Sequence, residues 1–98
     1  MQNNIGEKNM ITITGGDGSS EENAIVIRNA KNEKEGVNAE YELVAKYFGV
    51  EDIYWRLVGQ YLISNDKTEK CYDILHIENR DVEQYAICFD IKLFYGKD

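Results

Sequence analysis

From Trp55 to Ile91 the chain carries three apolar-rich runs joined by two short polar connections. A β-strand has a period of two, so alternate residues share a face. In the run 55–64 the odd positions are Trp55, Leu57, Gly59, Tyr61 and Ile63, while the even ones include Arg56, Gln60 and Ser64. In the run 84–91 the odd positions are Tyr85, Ile87, Phe89 and Ile91, opposite Gln84 and Asp90. Aromatic and β-branched residues fill both runs, as strands prefer. Both read as half-buried strands.

The middle run, 70–78, alternates less cleanly. Tyr72 and Ile74 point one way, Leu75 and Ile77 the other. Either this is a central strand, apolar on both faces, or a bulge near Ile74–Leu75 switches the parity. The connections 65–69 and 79–83 are rich in Asn, Asp and charge, which suits hairpin loops. Short links make consecutive strands antiparallel neighbours. The C-terminal half is therefore expected to be a three-stranded meander.

Upstream, Asn32 suits a helix N-cap, and Glu33 and Glu35 suit the positive end of the helix dipole. Val37, Tyr41, Val44 and Phe48 then recur at steps of four, three and four, and Gly49 supplies a C′ stop. This stripe should lie near Trp55, Tyr61 and Phe89. Residues 10–14 alternate like a short strand, 15–20 form a glycine-rich loop, and 24–27 read as a short buried strand. Leu93 and Phe94 predict that the tail folds back as a turn. Residues 1–9 are polar and expected to be a disordered tail, which leaves one domain over 10–98. The predicted fold is α+β: one amphipathic helix packed on an antiparallel sheet, in the order β-β-α-β-β-β, cystatin-like in layout.

A chain of 98 residues with 43% hydrophobic content can bury a core without staples. It has no apolar run of the ~20 residues that a membrane helix needs, and residues 1–5 lack the basic and apolar regions of a secretory leader. The expectation is a cytoplasmic protein without membrane contact. Formal net charge is −7, and the eleven Lys and Arg are scattered singly. Nucleic acid, which calls for a clustered basic surface, is therefore not an expected partner. Cys71 and Cys88 fall on neighbouring strands. A turn around Asp81 would set Cys88 opposite Asp73 or Ile74, out of bridging register with Cys71.

Six segments give the chain its texture: Gly16-Asp17-Gly18-Ser19-Ser20, Ala24-Ile25-Val26-Ile27, Glu40-Tyr41, Trp55-Arg56-Leu57, Tyr72-Asp73-Ile74-Leu75 and Phe89-Asp90-Ile91. Together they resemble small bacterial proteins of unknown function over most of the chain from Gly15 onward. The resemblance implies a bacterial source and transfers no activity, ligand or catalytic residue.

The chemistry-bearing residues do not assemble into a catalytic set. The 15–20 loop could cradle a phosphate, but it lacks the Gly-Lys-Ser/Thr ending and the G-x-G-x-x-G fingerprint, and Glu21 and Glu22 would repel an anion. Asp17, Ser19, Glu21 and Glu22 could offer oxygens to a hard cation, though without EF-hand spacing. A plain turn is the simpler reading. His76 is the single histidine and shares a strand face with Tyr72 and Ile74, whereas Cys71 lies on the opposite face. Zinc would need ligands from a second subunit. No metal, cofactor or enzymatic activity is expected.

A helix covers one face of a sheet. Val58, Leu62, Leu75, Ile77, Ala86 and Cys88 are expected on the other, covered by the N-terminal strands or by a protein partner or homodimer. The leading expectation is a non-catalytic protein-interaction module of inhibitor, immunity or homodimeric-adaptor type. The alternative is a small-ligand carrier or weak enzyme, with Tyr41, Trp55, Tyr61, Tyr72 and Tyr85 lining a pocket between helix and sheet.

Overall fold

A computed structural model describes residues 10–65 and 67–98, so the tail expected over 1–9 lies outside the described residues. The elements run β1 (Thr12–Gly15), β2 (Ile25–Arg28), α1 (Glu33–Phe48), β3 (Trp55–Asn65), β4 (Lys70–Asn79) and β5 (Gln84–Asp90). The fold is α+β, with a five-stranded, mostly antiparallel sheet ordered β1-β2-β5-β4-β3. The meander β3-β4-β5 forms as the alternation predicts.

Two features depart from the simple pattern. β2 pairs with β5 in parallel, Ile25 opposite Phe89 and Val26 opposite Asp90, so the sheet is not wholly antiparallel. The reason is topological. Helix α1 carries the chain from β2 to the far edge of the sheet, and the meander returns to lay β5 beside β2. The bulge, secondly, sits in β3. β4 pairs with β5 without a break from Tyr72–Asp90 to Glu78–Gln84. Against β3, Leu57 faces Ile77 and Gly59 faces His76, which leaves Val58 as the extra residue. β4 is apolar on both sides because it is central.

The bulge reverses the parity of β3. Trp55 and Leu57 pack with the helix-side core. Beyond Val58, Gln60, Leu62 and Ser64 stand opposite Leu75, Asp73 and Cys71, on the helix side. Tyr61 and Ile63 stand opposite Ile74 and Tyr72, on the far side. Tyr61 therefore lies away from the helix, contrary to the period-two reading.

The helix begins and ends where its caps dictate. Asn32 Oδ1 accepts the Glu35 N–H at 2.9 Å, and Glu35 Oε1 accepts the Lys31 N–H at 2.9 Å. At the other end the Gly49 N–H donates to the Ala45 carbonyl, while the Trp55 indole donates to the Gly49 carbonyl at 2.7 Å. Gly49 takes φ +101°, a conformation that suits glycine. Val44, Ile27, Leu75, Ile77 and Phe89 fill the space between helix and sheet. Burying each contributes about 1.5–3 kcal/mol. The tail turns back at Ile91, whose carbonyl accepts the Phe94 and Tyr95 N–H groups, and it drives Phe94 under Gly36.

Candidate functional site

The outer edge of the meander is the first candidate. Among the described residues no strand lies beyond β3. Its start is engaged, since Glu51 bridges Trp55 and the Asp52 N–H donates to the Trp55 carbonyl. From Leu57 to Asn65 the edge carries no charge and no proline. Tyr61, Leu62 and Ile63 are 57%, 51% and 38% exposed. Sheet edges are commonly blunted by charges, prolines or bulges. Here the bulge protects Val58 alone, and the seven residues that follow it are undefended.

The sheet face opposite the helix is the second feature. The N-terminal strands do not cover it; they extend the sheet as β1 and β2. Ala24 packs there in a small apolar cluster with Tyr72, Ile74 and Cys88, and Ser20, Glu21 and Glu22 line a shallow hollow beside Tyr72. His76 shares this face and holds its ring edge-on to Tyr61, with centroids 4.8 Å apart.

The six residues expected on that face divide. Leu75 and Ile77 are fully buried in the helix-side core, because they occupy the odd positions of β4 that face α1. Leu62 also stands on the helix side, flipped there by the bulge, yet it is exposed. Val58 is the half-exposed bulge residue itself. Cys88 is buried in the Ala24 cluster, and Ala86 alone is both exposed and on the expected face. The five aromatic residues divide likewise. Tyr41 and Trp55 meet at 6.3 Å and Tyr85 meets Phe48 at 5.1 Å, while Tyr61 and Tyr72 lie across the sheet. They do not share one pocket.

A different cleft exists between α1 and the sheet. It encloses about 420 Å³. Leu43, Val44, Tyr47 and Phe48 form its helix wall, Ile25, Ile87 and Phe89 its floor, and the loop 16–19 its rim. The rim is built by the glycines. Gly18, at φ +83°, accepts the Cys88 N–H on its carbonyl and sits so close to Ile25 and Ile87 that a side chain would crowd both. Asp17 Oδ1 accepts the Ser19 N–H at 3.0 Å, and the Ser19 hydrogen bonds hold its carboxyl below the usual range. This loop leads into β2, not into a helix, so no helix N-terminus backs it.

One buried group escaped the sequence reading. Glu40 is fully buried on the helix underside, and neither of its oxygens reaches a hydrogen-bond partner. Burial first, and the Asp73 carboxyl beside it second, push its pKa up to about 10. Asp73 is itself 3% exposed and accepts both bonds of the Gln60 amide, at 3.0 and 3.1 Å. The signal was present in the spacing. Glu40 stands midway between Gly36 and Val44, both buried, on the row i, i+4, i+8.

The remaining reactive side chains are kept apart. Cys88 pairs with Ile74, as the turn predicts, and Cys71 lies across the sheet; both thiols are free and buried. Burial, with the charges of Glu21, Asp90 and Asp73, raises the Cys88 pKa to about 11, far from a reactive thiolate. Among the described residues no three His, Cys, Asp or Glu side chains are grouped to hold a metal, and no helix is long and apolar enough to cross a membrane. The chain matches no protein-family model, no curated protein and no solved structure.

Proposed function

We propose that this protein is a non-catalytic interaction module that works by strand addition along the outer edge of β3, with a second copy as the added strand. The observation that carries this reading is the uncharged, exposed stretch Gln60–Asn65 on an edge strand, in a chain of net charge −7. Two acidic molecules repel one another over most of their surfaces, but not there. An antiparallel pairing with its two-fold axis at Leu62 sets Tyr61 opposite Ile63 and Gln60 opposite Ser64. These are uncharged cross-strand pairs of the kind that stabilise sheets, by roughly 0.2–1 kcal/mol each. The two five-stranded sheets would join into one. Tyr61 and Ile63 of each copy would then form a continuous apolar band on the face away from the helices. One strand pair is a small contact, so the association belongs at the weak end of specific interfaces.

Sedimentation equilibrium tests this directly. Mass should rise from monomer toward dimer between about 10 µM and 1 mM, the weak range such a contact implies. Leu62→Lys, at a half-exposed position, sets two like charges on the dyad and should hold the protein monomeric with unchanged circular dichroism. A wild-type monomer throughout this range, or a dimer indifferent to Leu62→Lys, overturns the reading.

A further inference from the structure

The cleft between α1 and β5 is unrelated to the β3 edge, and its chemistry is specific. Its walls are aliphatic and aromatic, with the half-buried Leu43, Phe48 and Ile87 offering a hydrophobic bed. Its volume of about 420 Å³ falls within the range that takes a drug-sized molecule. Among the described residues that line it Asp17 is the one carboxylate, and none is a lysine, arginine or histidine. The Ser19 N–H anchors Asp17 Oδ1, so the charge is held in place at the rim.

We infer that this cleft binds a small amphipathic amine, whose ring or chain lies on Phe48 and Ile87 and whose ammonium group meets Asp17. Charge selects the occupant. An anion would face the Asp17 carboxylate with no compensating cation among the described lining residues, and a neutral ligand would leave that carboxylate unused. The phenol rings of Tyr47 and Tyr85 line the same cleft, and aromatic rings favour a cation over an anion. The loop 16–19 fits this role through its backbone, which closes over the cleft at Gly18 without placing a side chain in it.

Tryptamine, tryptophol and indole-3-acetate share one ring system and differ in charge, so they serve as probes. In amide-resolved NMR titrations, tryptamine should shift resonances of residues 16–19, 43–48 and 85–89 and bind roughly three- to fivefold more tightly than tryptophol, as one rim-exposed charge pair allows. Indole-3-acetate should bind more weakly than both. Asp17→Asn retains an acceptor for the Ser19 N–H, so the loop keeps its turn. In this variant tryptamine and tryptophol should bind alike, with tryptophol unchanged from wild type. Leu43→Trp, filling the cleft from the helix, should abolish binding of both. No shifts with any probe, shifts outside the cleft, or equal binding of the amine and the carboxylate would overturn the assignment. Self-association through β3 is untouched by any of these results, because Asp17 and Leu43 do not belong to that edge.

Discussion

Glu40 is where the physical chemistry of single residues speaks most clearly. A carboxyl that is fully buried beside a second carboxyl, Asp73, is held in its neutral form, because burial penalises the charge first and the neighbouring Asp73 carboxyl penalises it further. Its folded pKa of about 10 lies above the unfolded value of ~4.3. The unfolded chain therefore releases a proton first as pH rises. Stability from this group is complete below about pH 4 and declines toward pH 10, by at most ~1.4 kcal/mol per pH unit. Glu40→Gln keeps the shape of the neutral carboxyl and cannot ionise. The variant should match wild type near pH 4, exceed it at pH 8, and lose most of the pH slope in urea unfolding. A wild-type stability that rises between pH 5 and pH 8, with no change in slope in the variant, would refute this account. The residue was visible in the sequence as a charge within the helical stripe. Its burial was not, since Val37, Tyr41 and Phe48 suggested a stripe centred one residue away. The helix residues that are buried are Gly36, Ala39, Glu40 and Val44.

Between elements, the tightest joint is α1 on the C-terminal turn. A Cβ on Gly36 would lie 2.4 Å from the Phe94 ring, which is 1% exposed and has nowhere to go. Two effects oppose each other in Gly36→Ala. Helix propensity favours alanine by about 1 kcal/mol. Overpacking a buried ring costs about 1–3 kcal/mol. The clash should win, and the variant should be less stable than wild type. Pairing it with Phe94→Leu should recover part of the loss, which a double-mutant cycle would read as coupling between the two sites. The helix limits and caps were legible from Asn32, Glu35 and Gly49, because capping is local chemistry. The bulge at Val58 was not, because it belongs to the pairing of β3 with β4. The same ten residues satisfy a period of two perfectly well when read alone.

For the whole molecule, the net charge of −7 sets how the edge of β3 behaves. Two copies repel at long range, with a Debye length near 10 Å at 0.1 M salt and about 3 Å at 1 M. Raising salt should therefore strengthen the β3 association, measured by sedimentation from 50 mM to 500 mM NaCl. An interface held by ion pairs would weaken instead, and that outcome would exclude the uncharged edge as the contact. The sequence by itself determined what local forces decide: three strands with short antiparallel links, one capped helix, the order of elements, and an acid surplus without a basic patch. Tertiary structure decided which residues are covered. Long-range pairing laid β5 parallel to β2, the β3 bulge exchanged the faces of Leu62 and Tyr61, and the helix closed over Glu40. Each of these depends on a partner distant in the chain, and a residue's own neighbours carry no record of it.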